Sequence, residues 1–197
     1  MSTEQELIRD LEEVGIHTSS IWDLVNGPNN YKSALPILIR HMESAENIRL
    51  KEGIVRALGV KGFDSASQHL IKEFKKSDDE LYKWAIANSL EIIVPKEHVD
   101  ELISIMSDQK YGRSRQMIAL ALGRIGDKKS VSVLIESLDD DSVAGHAVEA
   151  LGMIGDNSVI ESIRPLTKHK IKWIKNAANK AIEHIRKRGK ENKKRRV

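Results

Sequence analysis

Histidines are the side chains of this sequence best suited to acid–base or metal chemistry at neutral pH, and the seven of them are scattered along the chain. They are His17, His41, His69, His98, His146, His169 and His184. None forms a His-x-x-x-His or Glu-x-x-His pattern, whereas a metal site needs several converging ligands. The chain has no cysteine, which excludes thiolate nucleophiles, disulfides and Cys-ligated zinc. We therefore expect no metal site and no catalytic residues.

Glycine-rich motifs that bind phosphate or expose a nucleophile are also missing. The sequence contains no Gly-x-Gly-x-x-Gly, no Walker-type loop and no Gly-x-Ser-x-Gly. We expect no cofactor, and the patterns that remain are typical of a binding protein.

Positive charge is concentrated at the C-terminal end. Residues 186–197 hold eight Lys or Arg and one Glu, so the other 185 residues carry a net charge of −4 within the total of +3. The pattern predicts a basic, disordered tail over residues 187–197, because such runs repel themselves and bury nothing. The tail is a candidate for polyanion binding, including nucleic acid, through Lys187, Arg188, Lys190, Lys193, Lys194, Arg195 and Arg196.

The residues between the termini are organised as a repeat. Ala-Leu-Gly begins at Ala57, Ala121 and Ala150, and equivalent apolar positions follow one another at 32, 32, 29 and 31 residues. These repeat positions are Leu58, Leu90, Leu122, Leu151 and Ile182. Such a period fits two helices and two turns. The predicted fold is all-α, an α-α superhelix in which paired helices stack as a solenoid.

The repeat spacing divides the chain into helical pairs. Five pairs are predicted over residues 31–186 as a single domain, and residues 1–28 are predicted to form an N-terminal helical cap that begins with a capping box at Thr3. Short turns with side-chain oxygens separate the helices, at Ser44, Asp64, Asp78, Asp127, Asp141 and Asp156. The final helix is predicted to end near residue 187.

Surface positions on the second helix of each pair form the main site hypothesis. Positions nine, six and two before the repeat residue share one helical face. We expect the second helices to line the concave surface of the stack. The candidate partner-binding residues are Arg49, Glu52, Arg56, Leu81, Trp84, Asn88, Arg113, Gln116, Leu120 and Trp173. Arg and Trp are typical of protein interfaces. The alternative is that Leu81 and Trp84 only fill gaps between helices.

Two further positions invite a functional interpretation but favour a structural one. The position seven before the repeat residue is basic in four repeats, at Lys51, Lys83, Arg115 and Lys175. We expect these cations to pair with acids such as Glu46 and Asp78 in the preceding turns. His146 replaces a residue that is small or apolar in other repeats, and we expect it to be hydrogen-bonded and partly buried.

Ala-Leu-Gly-x-Ile-Gly-Asp, which begins at Ala121 and again at Ala150, resembles the HEAT-like repeats first described in phycobilin lyases. The resemblance covers roughly residues 31–186. It implies an α-α superhelix of the HEAT/armadillo type, and the resemblance alone does not choose a function. Together with the interface-type side chains named above, the leading hypothesis is a noncatalytic scaffold that binds a protein or peptide on its concave face. Two other functions stay open by resemblance, a DNA-binding or DNA-repair role like that of the HEAT-like alkylpurine glycosylases, and bilin-lyase-like activity.

The ends of the sequence and its hydropathy bear on location. Residues 1–6 carry acids where a signal peptide needs cations, and no apolar run reaches the ~18 residues that span a bilayer. We expect a cytoplasmic protein that makes no membrane contact.

Overall fold

The computed structural model describes the backbone of residues 3–194 and the side chains of residues 3–191. These residues form α-helices joined by short turns, many of them 3₁₀, with no strand in the described part. The described chain separates into two compact units, one up to Pro95 and one from Lys96 onward. The single domain predicted over residues 1–186 stays a prediction.

The first unit contains three helical pairs. Their helices are α1 (Glu4–Glu12) and α2 (Ile21–Asn26), α3 (Leu35–Ser44) and α4 (Ile48–Leu58), and α5 (Ser67–Lys76) and α6 (Glu80–Ile93). The second helices form one layer, because α2 packs on α4 and α4 packs on α6. On the first-helix side, α1 packs on α3. The predicted N-terminal cap is therefore a helical pair that packs like the others.

The second unit repeats this arrangement. Its pairs are α7 (Val99–Ser107) and α8 (Arg115–Ile125), α9 (Val131–Glu136) and α10 (Ala144–Ile154), and α11 (Ile160–Ile163) and α12 (Lys172–Lys194). The second helices again form a layer, with α8 on α10 and α10 on α12, while α7 packs on α9. All five repeat positions of the chain are buried in their own units.

Small residues explain how closely neighbouring second helices pack. A Cβ built on Gly123 of α8 would lie 2.8 Å from the Ala150 Cα of α10. One repeat later, a Cβ on Gly152 would lie 3.1 Å from the Ala181 Cβ of α12. In both cases the glycine after the repeat leucine faces the small residue that precedes the repeat residue of the next pair. Both small positions are needed because the helices touch there.

Polar side chains cap some of the helix starts, and Thr3, Asp127 and Asp156 are caps that the sequence predicts. Thr3 and Glu6 form the predicted capping box. Asp156 accepts hydrogen bonds from the Ser158 hydroxyl and amide, which lower the pKa of its carboxyl to about 2. At two other turns the cap is a neighbouring residue, since Asn47 caps α4 and Asp79 caps α6. The sequence predicts these caps at Ser44 and Asp78. Ser44 instead lies inside α3, and the cap of α6 is the residue after Asp78.

The last helix differs from its prediction. Sequence analysis ended it near residue 187 and treated residues 187–197 as a disordered tail, whereas α12 continues to Lys194. Lys, Arg and Glu are good helix formers, so the segment tolerates Gly189. In addition, Arg188 donates to the backbone oxygens of Met153 and Gly152 at 2.6 and 3.1 Å. These bonds attach the helix to α10.

The hydropathy of the described helices shows whether any of them could cross a membrane. None of its helices combines the length and apolar character needed to cross a bilayer.

Candidate functional site

The ten predicted interface residues all keep some exposure. Arg49, Leu81, Arg113 and Trp173 are exposed, and the other six are half-buried: Glu52, Arg56, Trp84, Asn88, Gln116 and Leu120. Six of the ten lie on α4 and α6, which pack together in the first unit. The other four belong to the second unit: Gln116 and Leu120 lie on α8, Arg113 lies in the 3₁₀ turn before it, and Trp173 lies on α12.

The strongest apolar feature of the first unit follows one side of α6. Leu81 is 81% exposed, the largest value among the exposed large hydrophobic side chains of the described chain. Trp84, Asn88 and Ile92 follow at helical spacings of three, four and four residues, so they share its side of the helix. Trp84 and Asn88 are half-buried, and Ile92 is 37% exposed. We call Leu81, Trp84, Asn88 and Ile92 the α6 stripe.

Polar side chains flank the α6 stripe on the neighbouring helix. Arg56 donates to Glu52 within α4 at 2.7 Å, which fixes both side chains along the helix. Arg49, one turn earlier, is exposed. An apolar row beside a partly organised polar row has the composition of a protein interface.

Part of the predicted set in the second unit serves internal packing. Gln116 Nε2 donates to the Ser142 backbone oxygen at 2.7 Å and so joins α8 to the turn before α10. The Trp173 indole lies over Gly145, where a Cβ would come within 1.9 Å of the ring, yet this side chain remains 42% exposed. For Trp173, gap filling and surface exposure therefore coexist.

His146 lies beside the same tryptophan. Its ring packs edge to face on Trp173 with centroids 5.1 Å apart. Sequence analysis expected a hydrogen-bonded histidine, but Nδ1 has no hydrogen-bond partner among the described residues. The predicted partial burial of His146 agrees with the structure. The predicted hydrogen bond was wrong, because aromatic packing, which the sequence does not reveal, takes the place of a polar partner. Burial lowers the pKa of His146.

Two of the four basic residues at the position seven before the repeat residue, Lys51 and Arg115, form ion pairs with other helical pairs. These contacts support a structural role for both residues. Lys51 pairs with Glu73 of α5, and the Tyr82 hydroxyl lies 3.4 Å from the same carboxylate. Burial raises the pKa of Tyr82, and the negative charge of Glu73 adds to the effect. The expected partner, Glu46, was wrong, since the pairing runs forward to the next helical pair.

Arg115 follows the same rule in the second unit. It is buried, donates to the Met106 and Gly112 backbone oxygens at 3.3 and 3.2 Å, and pairs with Asp140 of the turn before α10. Lys83 is also buried, whereas Lys175 is exposed. The four cations therefore do not form one free basic surface.

The predicted polyanion-binding tail is only partly described. Arg188 is half-buried and engaged with α10, so the prediction that it belongs to a free basic tail was wrong. Lys187 and Lys190 are exposed on α12. The other predicted polyanion-binding residues have side chains outside the described part of the chain: Lys193, Lys194, Arg195 and Arg196.

Metal-ligating groups do not converge in the described part of the chain. No group of three or more His, Asp or Glu side chains there is arranged to hold a metal ion.

Comparison with known proteins agrees with the packing of paired helices. Residues 67–145, from α5 to the start of α10, match the family of HEAT repeats. Residues 67–145 therefore carry HEAT repeats. The crystal structure of an engineered protein from the Northeast Structural Genomics Consortium has a TM-score of 0.55 and 20% identity, over 95% of this chain and 92% of that one. This likeness concerns the fold alone. No curated protein sequence matches the chain.

These matches confirm the predicted all-α repeat fold and its resemblance to HEAT-like repeats. The α6 stripe lies inside the matched segment, yet its residues are not dictated by the repeat, since other second helices carry polar side chains at several of these positions. Ile92 was not among the predicted interface residues because it lies two residues after the repeat leucine Leu90, and all the predicted positions precede the repeat residue. The same helical spacing, continued one turn further, would have found it.

Proposed function

We propose that this HEAT-repeat chain is a noncatalytic scaffold that binds a partner protein or peptide through the second-helix faces, with the α6 stripe as its principal contact in the first unit. The observation that carries the proposal is the exposure of Leu81 in line with Trp84 and Ile92. A cytoplasmic location stays a prediction of the sequence.

The energetics of such a stripe favour a protein partner. Covering one large aliphatic side chain contributes about 1.5–3 kcal/mol, and a few aromatic and aliphatic anchors supply most of the affinity of a typical interface. Trp84 is half-buried, so its ring is partly positioned before binding. Less conformational freedom is then lost when a partner covers it.

Arginines provide the polar edge of the proposed contact. Arg49 is exposed, and Arg56 is held by Glu52 on the same helix. Such side chains at the rim of an interface set specificity and association rate more than affinity.

Affinity purification from native cells tests the proposal, with mass spectrometry as the readout. The tagged native chain and a Val14→Ala control, which trims an exposed hydrophobic side chain on another element, should enrich the same partner. The Leu81→Ala/Trp84→Ala variant should lose at least about tenfold of that enrichment while keeping its helical circular dichroism. Equal enrichment by the double variant would reject the α6 stripe as the contact.

A further inference from the structure

A groove of about 470 Å³ runs between α10 and α12 of the second unit, and nothing in the proposed use of α6 involves it. Its floor is made by small residues, among them Gly152 and Ala181, whose close contact also brings the two helices together. Met153, which is 44% exposed, forms part of an apolar wall. A volume of this size is typical of sites that take a small ligand or a few side chains of a peptide.

Two contacts hold α12 against α10, one before the groove-lining part of α12 and one at its end. Near the start of α12, Trp173 packs over Gly145 and beside His146 of α10. Near the end of α10, Arg188 bridges to the Met153 and Gly152 backbone oxygens. The two contacts are fifteen residues apart on α12, which corresponds to a length of about 22 Å.

Charges along the groove are unequal on its two sides. The side formed by α12 contributes Lys180, His184 and Arg188, with no acid among its lining residues, whereas α10 contributes Glu149. Lys180, His184 and Glu149 are exposed. None of these three makes a hydrogen bond or ion pair with another described residue.

We infer that the α10–α12 groove binds an acidic peptide segment whose aliphatic side chains enter the apolar floor and whose carboxylates face Lys180 and His184. An acidic segment is favoured because the exposed ammonium of Lys180 has no ion-pair partner among the described residues and lies beside an apolar floor, with the His184 ring one turn further along α12. Arg188 closes one end as a positioning residue, since its donors are used by α10. The inference rests on the proposed scaffold function and adds the chemistry of the bound partner.

Fluorescence anisotropy with the full chain tests this inference directly. The probes are two labelled twelve-residue peptides, one built from Leu-Leu and Glu-Glu pairs and the other with Lys in place of every Glu. The acidic peptide should bind at least about tenfold more tightly than the basic one. Equal binding of the two peptides would overturn the proposed charge preference.

Matched variants of α12 locate the binding. Lys180→Glu should weaken the acidic peptide at least about tenfold, while Lys175→Glu, the same charge change on the opposite side of the helix, should have little effect. Glu149→Lys should strengthen binding. Equal losses in Lys180→Glu and Lys175→Glu, or binding that depends only on residues 192–197, would contradict a site in the groove.

The α6 variant separates this inference from the proposed function. Leu81→Ala/Trp84→Ala should bind the acidic peptide like the native chain, because α6 does not line the groove. Loss of peptide binding in that variant would overturn the assignment to the groove. If partner capture survives the α6 substitutions while Lys180→Glu still weakens the peptide, the proposed use of α6 fails and the groove assignment stands.

Discussion

Arg115 is the residue whose environment says most about how the basic positions of the repeat are used. Its guanidinium is buried and bonded to the Met106 and Gly112 backbone oxygens and to Asp140. Burial raises the pKa of Asp140, but the hydrogen bonds from Ser142 and Arg115 outweigh it and hold the pKa below its usual value. The arginine therefore joins helical pairs and is unavailable to a ligand.

Replacing Arg115 by methionine should measure this role. Arg115→Met keeps the side-chain volume but removes the guanidinium donor from the Met106 oxygen and the charged partner from Asp140, which keeps its hydrogen bonds from Ser142. We expect a loss of about 2–3 kcal/mol in the free energy of unfolding, less than for a fully buried pair because Asp140 is partly exposed. Lys128→Met removes the exposed pair with Asp156 and should cost no more than ~1 kcal/mol. Equal costs in urea denaturation would contradict the structural role.

His146 makes a second residue-scale prediction because burial lowers its pKa below 6.5. Burial disfavours the protonated imidazole in the folded chain, so the unfolded chain takes up this proton at a higher pH than the folded chain does. Protonation of His146 should therefore lower the free energy of unfolding as the pH falls through about 6.5.

The variant His146→Phe retains an aromatic ring against Trp173 without a titrating group. Its free energy of unfolding should fall less than that of the native chain between about pH 7.5 and about pH 5.5, as measured by chemical denaturation. His17→Gln, at an exposed position, serves as the control. An identical pH dependence of native chain and His146→Phe would show that this imidazole does not contribute.

These residues mark where sequence reasoning succeeds and where it stops. The buried repeat positions were predictable because burial imposes a period, and Leu58 and Leu122 recur at that period. The pairing of Lys51 with Glu73 was not, because many acids lie within reach of a lysine and only packing selects one. The Trp173 contact with His146 depends on the spacing of two helices, which no local pattern contains.

At the scale of elements, α12 shows a tertiary contact extending a helix beyond its predicted end. Its charged residues permit helix, and Arg188 connects this stretch to the C-terminal end of α10. A cation at that position also complements the partial negative charge of the helix end. Tertiary packing also decides the role of α2. The turn residues after it predict that it belongs to an N-terminal capping element, whereas it packs on α4 as the second helix of a pair.

Arg188→Ala tests the attachment of α12. Loss of its hydrogen bonds should raise the hydrogen exchange of the backbone amides around residues 186–191, corresponding to about 1–2 kcal/mol of local stability. Lys190→Ala, which alters an exposed side chain of the same helix, should leave exchange nearly unchanged. Exchange that is equally slow in native chain and Arg188→Ala would mean that helix propensity alone maintains this segment.

At the scale of the molecule, each unit uses its layer of second helices in the same way. One side of the layer is buried with the repeat positions, and another side keeps side chains such as Leu81 and Met153 in solvent. The repeat explains the buried side, and it leaves the exposed side free to specify a partner. This division is why the sequence predicts the fold much further than it predicts the ligand.

Site-specific photocrosslinking in native cells tests the central claim most directly, because it records what touches α6. A photoreactive amino acid at position 81 should yield a discrete crosslinked protein, and the same group at position 14 should not. No crosslink at position 81, or the same products from both positions, would contradict the assignment of the α6 stripe as the partner-binding surface.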